Sequence, residues 1–181
     1  PDLVRADIGK AQAVFETCLG MQPRGLAAPR GYYRGLSGKP DVLAAIVDFG
    51  FHYVASYGRN ANDWQPVPLE AQPFWYEAQG YPDLLEIPHQ GWQDAAWFKY
   101  FGPDTLEGYA QYNHQLLDKL RGTELVWAFS QHDWVVDSWD PSMHHTREII
   151  ERARLEGHVF MTFEAYRKYA DEKRAGRGGS Y

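Results

Sequence analysis

The residue types best suited to chemistry lie together in Ser130-Gln131-His132-Asp133-Trp134, directly after the apolar run Leu125-Val126-Trp127-Ala128-Phe129. Such a run reads as a strand buried on both faces. In parallel α/β folds the reacting groups collect where strands end at their carboxyl side. A histidine at that point can deliver or accept a proton near neutral pH. The competing reading is a rim histidine bonded to a loop carbonyl. The same strand-end rule also selects residues 28–34, 57–63 and 88–92.

A metal site within the chain is not predicted. Helical zinc ligands need two histidines three or four residues apart, so that both rings share a face. The seven histidines are His52, His89, His114, His132, His144, His145 and His158, and no pair has that spacing. His144 and His145 are adjacent, about 100° apart around a helix. That spacing predicts a solvated helix surface and no shared ion. The single cysteine, Cys18, excludes an internal disulfide and any cysteine-based zinc site, and its place among apolar helix positions reads as core. There is no Gly-x-Ser-x-Gly elbow. The turn Gly31-Tyr32-Tyr33-Arg34-Gly35 lacks the spacing of a phosphate-cradling loop.

The elements that must position these groups follow from periodicity. Val4, Ile8, Ala11, Phe15 and Cys18 recur at helical spacing up to Gly20. A short strand is expected over 25–28, and a helix opens at Ser37 and Pro40 and closes at Gly50. Residues 52–56 are β-like, 58–82 read as a long loop, and 84–87 as a strand ended by Pro88. Asp104 with Glu107 forms a capping-box pattern for a helix ending at Gly122. Asp140-Pro141 opens the next helix, which runs to Gly157. A last strand is expected over 158–161, followed by a helix capped by Thr162. Strands alternating with helices predict a parallel sheet with outer helices, either a barrel or an open doubly wound sheet.

The chain has 181 residues, of which 44% are hydrophobic and 23% charged, which suits one globular domain rather than a disordered segment. We expect residues 1–170 to form that domain and 171–181 a flexible basic tail. Eighteen Lys and Arg against 24 Asp and Glu leave a net charge of −6, which argues against a nucleic-acid partner. No apolar run reaches the roughly 18–20 residues of a membrane span, and the lack of a signal peptide favours a cytoplasmic location. Aromatics make up 15%, more than a core alone would use, and suggest an amphipathic binding surface. The first residue is Pro1, already within a helical pattern, so the sequence reads as part of a longer protein.

Three segments in order resemble the later motifs of the polysaccharide deacetylase (NodB-homology) family, carbohydrate esterase family 4. Gly25-Leu26-Ala27-Ala28-Pro29-Arg30-Gly31-Tyr32 resembles its third motif, Arg-x-Pro-x-Gly. Leu85-Glu86-Ile87-Pro88 is similar to a strand of its peptidoglycan-deacetylase-like and allantoinase-like branch. Phe129-Ser130-Gln131-His132-Asp133-Trp134, then Pro141, Gly157 and Val159-Phe160-Met161-Thr162-Phe163, resemble the fifth motif with its closing helix and strand.

The resemblance implies the C-terminal portion of a distorted (β/α) barrel, with parallel strands and outer helices. It implies a metal-dependent hydrolase that removes acetyl groups from N-acetylated sugars or cleaves a related non-peptide C–N bond. The divalent metal, usually zinc, and the base aspartate would be held by motifs upstream of Pro1, in roughly a third or more of such a domain. His132 would protonate the leaving amine, the Arg30 backbone N–H would meet the oxyanion, and Asp63 would be the fourth-motif carboxylate. Tyr32, Trp64, Trp92 and Trp134 would contact substrate, with loop packing the alternative for each. Glu86 fits a buried structural carboxylate better than a catalytic one. Two positions depart from the pattern. Ala27 stands where the motif has the arginine that orients the base, and Ser130 where an apolar residue shapes the acetyl pocket. These departures keep other readings open: a non-catalytic carbohydrate-binding homologue, a subunit completed by another chain carrying the N-terminal portion, or a homo-oligomer.

Overall fold

Alternation of buried positions and turn-forming glycines builds a mixed α/β fold, which the computed structural model describes over residues 2–177. Its elements are α1 (Asp2–Leu19), β1 (Gly25–Tyr33), α2 (Pro40–Asp48), β2 (Tyr53–Arg59), β3 (Phe74–Tyr76), β4 (Tyr81–Glu86), α3 (Asp94–Phe101), α4 (Leu106–Leu120), α5 (Asp133–Trp139), α6 (His144–Leu155) and α7 (Phe163–Arg177). The four strands form one sheet in the order β1-β2-β4-β3. The chain gathers into two compact units. The first takes residues up to Tyr57, Pro73–Ile87 and those from Met161 on; the second takes Gly58–Gln72 and Pro88–Phe160.

In the first unit β2 and β4 run parallel, with Val54 opposite Glu86. Val54, Leu84 and Leu85 are almost wholly buried, as a central parallel pair requires. Pro40 at the start of α2 loses no helix bond there, because its missing N–H would have had no partner. Ile8, Leu43, Ile46, Val54, Tyr76 and Leu84 close the core between helices and sheet. The second unit is mainly helical. Leu117, Leu120, Ile149 and Ala153 join α4 to α6, and a separate cluster of Phe98, Tyr109 and Val135 joins α3, α4 and α5.

Several expected elements differ. The runs 125–129 and 158–161 form no strand among the described residues. For the first, side-chain amides take the place of a neighbouring strand. Gln72 Oε1 accepts the Val126 N–H at 2.7 Å while its Nε2 donates to the Val126 carbonyl at 3.0 Å, and Gln90 Oε1 accepts the Ala128 N–H at 2.9 Å. For the second, Val159, Phe160 and Met161 are exposed. Within the expected 58–82 loop lies β3, antiparallel to β4, so the sheet is mostly rather than wholly parallel.

Helix ends differ as well. At the start of α4 Thr105 takes the N-cap position without a side-chain cap bond, so the expected capping box is not made. The helix expected from Asp140 begins at His144, yet the Asp140 carboxylate still accepts the His144 N–H at 2.8 Å. Thr162 caps α7 as expected, accepting the Ala165 N–H at 3.1 Å. Cys18 is exposed, not core: α1 is covered only along its first half, where Ile8 is buried and Gln12 reaches the Phe49 carbonyl at 2.7 Å. Finally, α7 stays helical to Arg177, through much of the stretch read as tail, whose remainder lies outside the described residues. No helix among the described residues is long and apolar enough to cross a membrane.

Candidate functional site

His132 is placed by three local constraints within the second unit. Its carbonyl accepts the N–H groups of Val135 and Val136 at 3.1 and 3.0 Å, so it forms the N-cap of α5. Its own N–H donates to Asp94 Oδ2 at 2.6 Å. Its ring Nδ1 lies 2.6 Å from Asp94 Oδ1. Asp94 is the first residue of α3, where acidic side chains suit the positive end of the helix dipole, and its Oδ1 also accepts the Ala95 N–H at 2.6 Å.

The two side chains differ sharply in exposure: Asp94 is 1% exposed and His132 41%. Both Asp94 oxygens already accept backbone N–H groups, from Ala95 at Oδ1 and His132 at Oδ2, an arrangement that Nδ1–H donating to Oδ1 completes and that leaves Nε2 facing outward. A buried acid that fixes the tautomer and orientation of a half-exposed imidazole is the arrangement general acid–base chemistry needs. Behind Asp94 lies a cavity of about 20 Å³, lined also by Phe98, Tyr109, Val135 and Trp139. That volume suits nothing larger than a water, so any substrate meets His132 from its open side. Trp134 stands there, its ring 5.3 Å from the imidazole and itself 54% exposed. Nearby His89 is held below the usual imidazole range by burial and, to a lesser degree, by the charge of His132.

The other expected site residues are distributed as follows. Asp63 and Trp64 share the second unit with His132, but the exposed Asp63 carboxylate pairs with Arg59 at 3.2 Å. The carboxylate set against His132 is Asp94, which sequence reading missed. No local signal sets it apart, because an aspartate ahead of Ala-Ala-Trp-Phe looks like an ordinary first-turn acid. Trp92 is half-buried and packs edge-on against Trp97 and Phe101, with ring centroids 6.1 and 5.3 Å away. Arg30 and Tyr32 belong to the first unit. Arg30 is exposed with φ 64°, an uncommon conformation for a non-glycine residue. Tyr32 stacks under Lys39, whose Nζ is 4.8 Å from the ring centre.

Glu86 is wholly buried in the first unit, as expected of a structural carboxylate. Oε1 accepts the N–H groups of Ser56 at 2.6 Å and Tyr57 at 2.8 Å, and Oε2 accepts the Tyr76 hydroxyl at 2.5 Å and the Ser56 hydroxyl. Burial pushes its carboxyl above the ordinary value, against the pull of those four bonds. Gly35 closes the cluster at φ +61°, where an added Cβ would stand 2.5 Å from the Tyr76 oxygen.

Among the described residues one group has the make-up to hold an ion: His144, His145 and Glu148, whose ligand atoms lie within 4.8 Å of one another. The expectation that the adjacent histidines cannot converge is therefore corrected. They sit on the first turn of α6, after a left-handed Met143, and Glu148 one turn on reaches both. The resemblance puts its metal ligands outside this chain, so this group among the described residues is a different one. No family model, curated protein or solved structure matches this chain.

Proposed function

We propose that this chain carries the proton-donor side of a hydrolase acting on a non-peptide C–N bond, with N-acetylated sugars as the preferred substrate class. The observation that supports the reading is the Asp94–His132 pair: a half-exposed imidazole locked by a buried carboxylate at 2.6 Å. Asp94 holds Nδ1–H, and Nε2 gives its proton to the amine nitrogen as the C–N bond breaks. Trp134 offers an apolar face beside that nitrogen, suited to the face of a sugar ring. The divalent metal that such a reaction calls for, zinc by the resemblance, would be bound by ligands outside this chain, and no step above depends on it.

The test is acetate release from N-acetylglucosamine oligomers by the longest polypeptide that carries this chain. His132→Ala and Asp94→Asn should each lower kcat by on the order of 10²-fold or more, with KM little changed. Absence of release from every acetylated saccharide tried, or full turnover in His132→Ala, overturns the reading. A carbohydrate-binding homologue without catalysis is the second reading, and Ala27 at the expected arginine position is what favours it. Saturable oligosaccharide binding, weakened by Trp134→Ala and without turnover, would select it.

A further inference from the structure

The start of α6 gathers donors that the proposed chemistry does not use. His144 Nε2 lies 3.7 Å from Glu148 Oε1, and His145 Nδ1 lies 3.4 Å from Glu148 Oε2. The two imidazoles thus flank the two oxygens of one carboxylate. The His145 Nδ1 atom is buried yet makes no hydrogen bond, since 3.4 Å is beyond good hydrogen-bond length. An imidazole nitrogen turned toward a carboxylate without bonding it suits a third body between them.

The distances suit an ion. Arms of about 2.0–2.1 Å set neighbouring donors of a tetrahedral zinc roughly 3.3 Å apart. The 3.4 and 3.7 Å separations are near that, all three donor atoms lie within 4.8 Å of one another, and the exposed His144 ring has room to turn inward. A cation at a helix N-terminus would ordinarily meet the positive end of the dipole. Here the Asp140 carboxylate already occupies that end, accepting the N–H of His144 at 2.8 Å and of Thr146 at 3.2 Å. Its negative charge offsets the dipole beside the cluster.

We propose that His144, His145 and Glu148 bind one divalent transition-metal ion of the zinc type, separate from any metal used in hydrolysis. Two imidazoles and a single carboxylate select a borderline ion such as Zn²⁺ over Ca²⁺ or Mg²⁺, which demand mostly oxygen ligands. Three protein donors leave a fourth position for water. By joining His144 and His145 to Glu148, the ion would pin the first turn of α6, which also holds Gln131 through Thr146 Oγ1 at 3.1 Å.

Calorimetric titration of the chelator-treated chain with ZnCl₂, and the visible spectrum of its Co²⁺ form, test the site without reference to turnover. One equivalent should bind, with Co²⁺ bands characteristic of mixed nitrogen and oxygen donors. His145→Ala and Glu148→Gln should each weaken binding roughly 10-fold or more, while exposed His52→Ala leaves it unchanged. Far-UV circular dichroism checks that the variants remain folded, and Glu148→Gln, at an exposed position, carries the test should His145→Ala unfold. No saturable binding overturns the proposal, as does binding that survives both substitutions, because the ion then sits elsewhere. MgCl₂ in place of zinc should give no heat, and an equal response to it also counts against the site. Either failure leaves the reading of His132 standing, because that reading is judged by acetate release alone.

Discussion

At the scale of single residues, two buried carboxylates show how surroundings assign roles. Asp94 accepts three bonds and presents a half-exposed imidazole to solvent, whereas Glu86 accepts four and presents nothing. Glu86 also carries a pH signature. Burial raises its native value above the ordinary 4.5, so the folded state binds this proton more tightly than the unfolded chain. The corresponding stability is fully present below pH 4.5 and is lost as pH rises through the raised native value. Urea unfolding of the parent chain should therefore weaken across that window. Glu86→Gln, neutral throughout, should show a flatter profile, and parallel profiles for the two chains would count against the assignment. The His132 pairing was half legible in the sequence. The histidine stood out by its place after an apolar run, but its partner lies 38 positions away and nothing local marked Asp94 as that partner.

At the scale of elements, the segment 125–129 has the composition of a buried strand and lacks a strand beside it. Its backbone is satisfied by Gln72 and Gln90, whose amides mimic the donor and acceptor of a peptide group. Gln72→Leu keeps the side-chain volume and removes both bonds to Val126. We expect a loss of about 1–3 kcal/mol in unfolding free energy, with faster hydrogen exchange at Val126. Unchanged exchange there would mean that solvent, not Gln72, satisfies the strand-like backbone. Helix starts followed the same logic. Of the two local cap signals, Asp140 is a real acceptor, whereas Asp104 gives way to Thr105 at the N-cap position, and competing bonds decided where each helix began. Thr105 holds the Trp97 indole at 3.0 Å at one start, and Asp140 reaches forward to His144 and Thr146 at the other.

At the scale of the whole molecule, the chain passes between its two units after Tyr57, Gln72, Ile87 and Phe160, so neither unit is one continuous piece. The first unit depends on α7, contributed by its last stretch. Arg167, buried in that helix, donates to the carbonyls of His52 at 3.2 Å and Asp83 at 2.9 Å and lies over the Trp75 ring at 4.4 Å. A chain ending at Phe160 should lose hydrogen-exchange protection at Leu85 and Ile87, whose N–H groups bond His52 and Val54 across β2 and β4. Full protection in the truncated chain would show that the sheet holds without α7. Arg167→Met should cause a milder loss at the same amides, because the helix remains while the two carbonyls lose their donor.

The sequence by itself determined the mixed α/β class, the helices ending near Gly20 and Gly50 and the one opening after Thr162, strands near 52–56 and 84–87, and His132 as the residue to examine. Each of these rests on local pattern: apolar period, cap residues, or the polarity switch at the end of a run. Only the tertiary structure decided that Asp94 orients His132, that Gln72 and Gln90 stand in for a strand, that Cys18 faces solvent, and that His144, His145 and Glu148 converge. Those outcomes depend on which distant groups compete for one donor, acceptor or apolar face. That competition is settled by packing, which no local window of sequence contains.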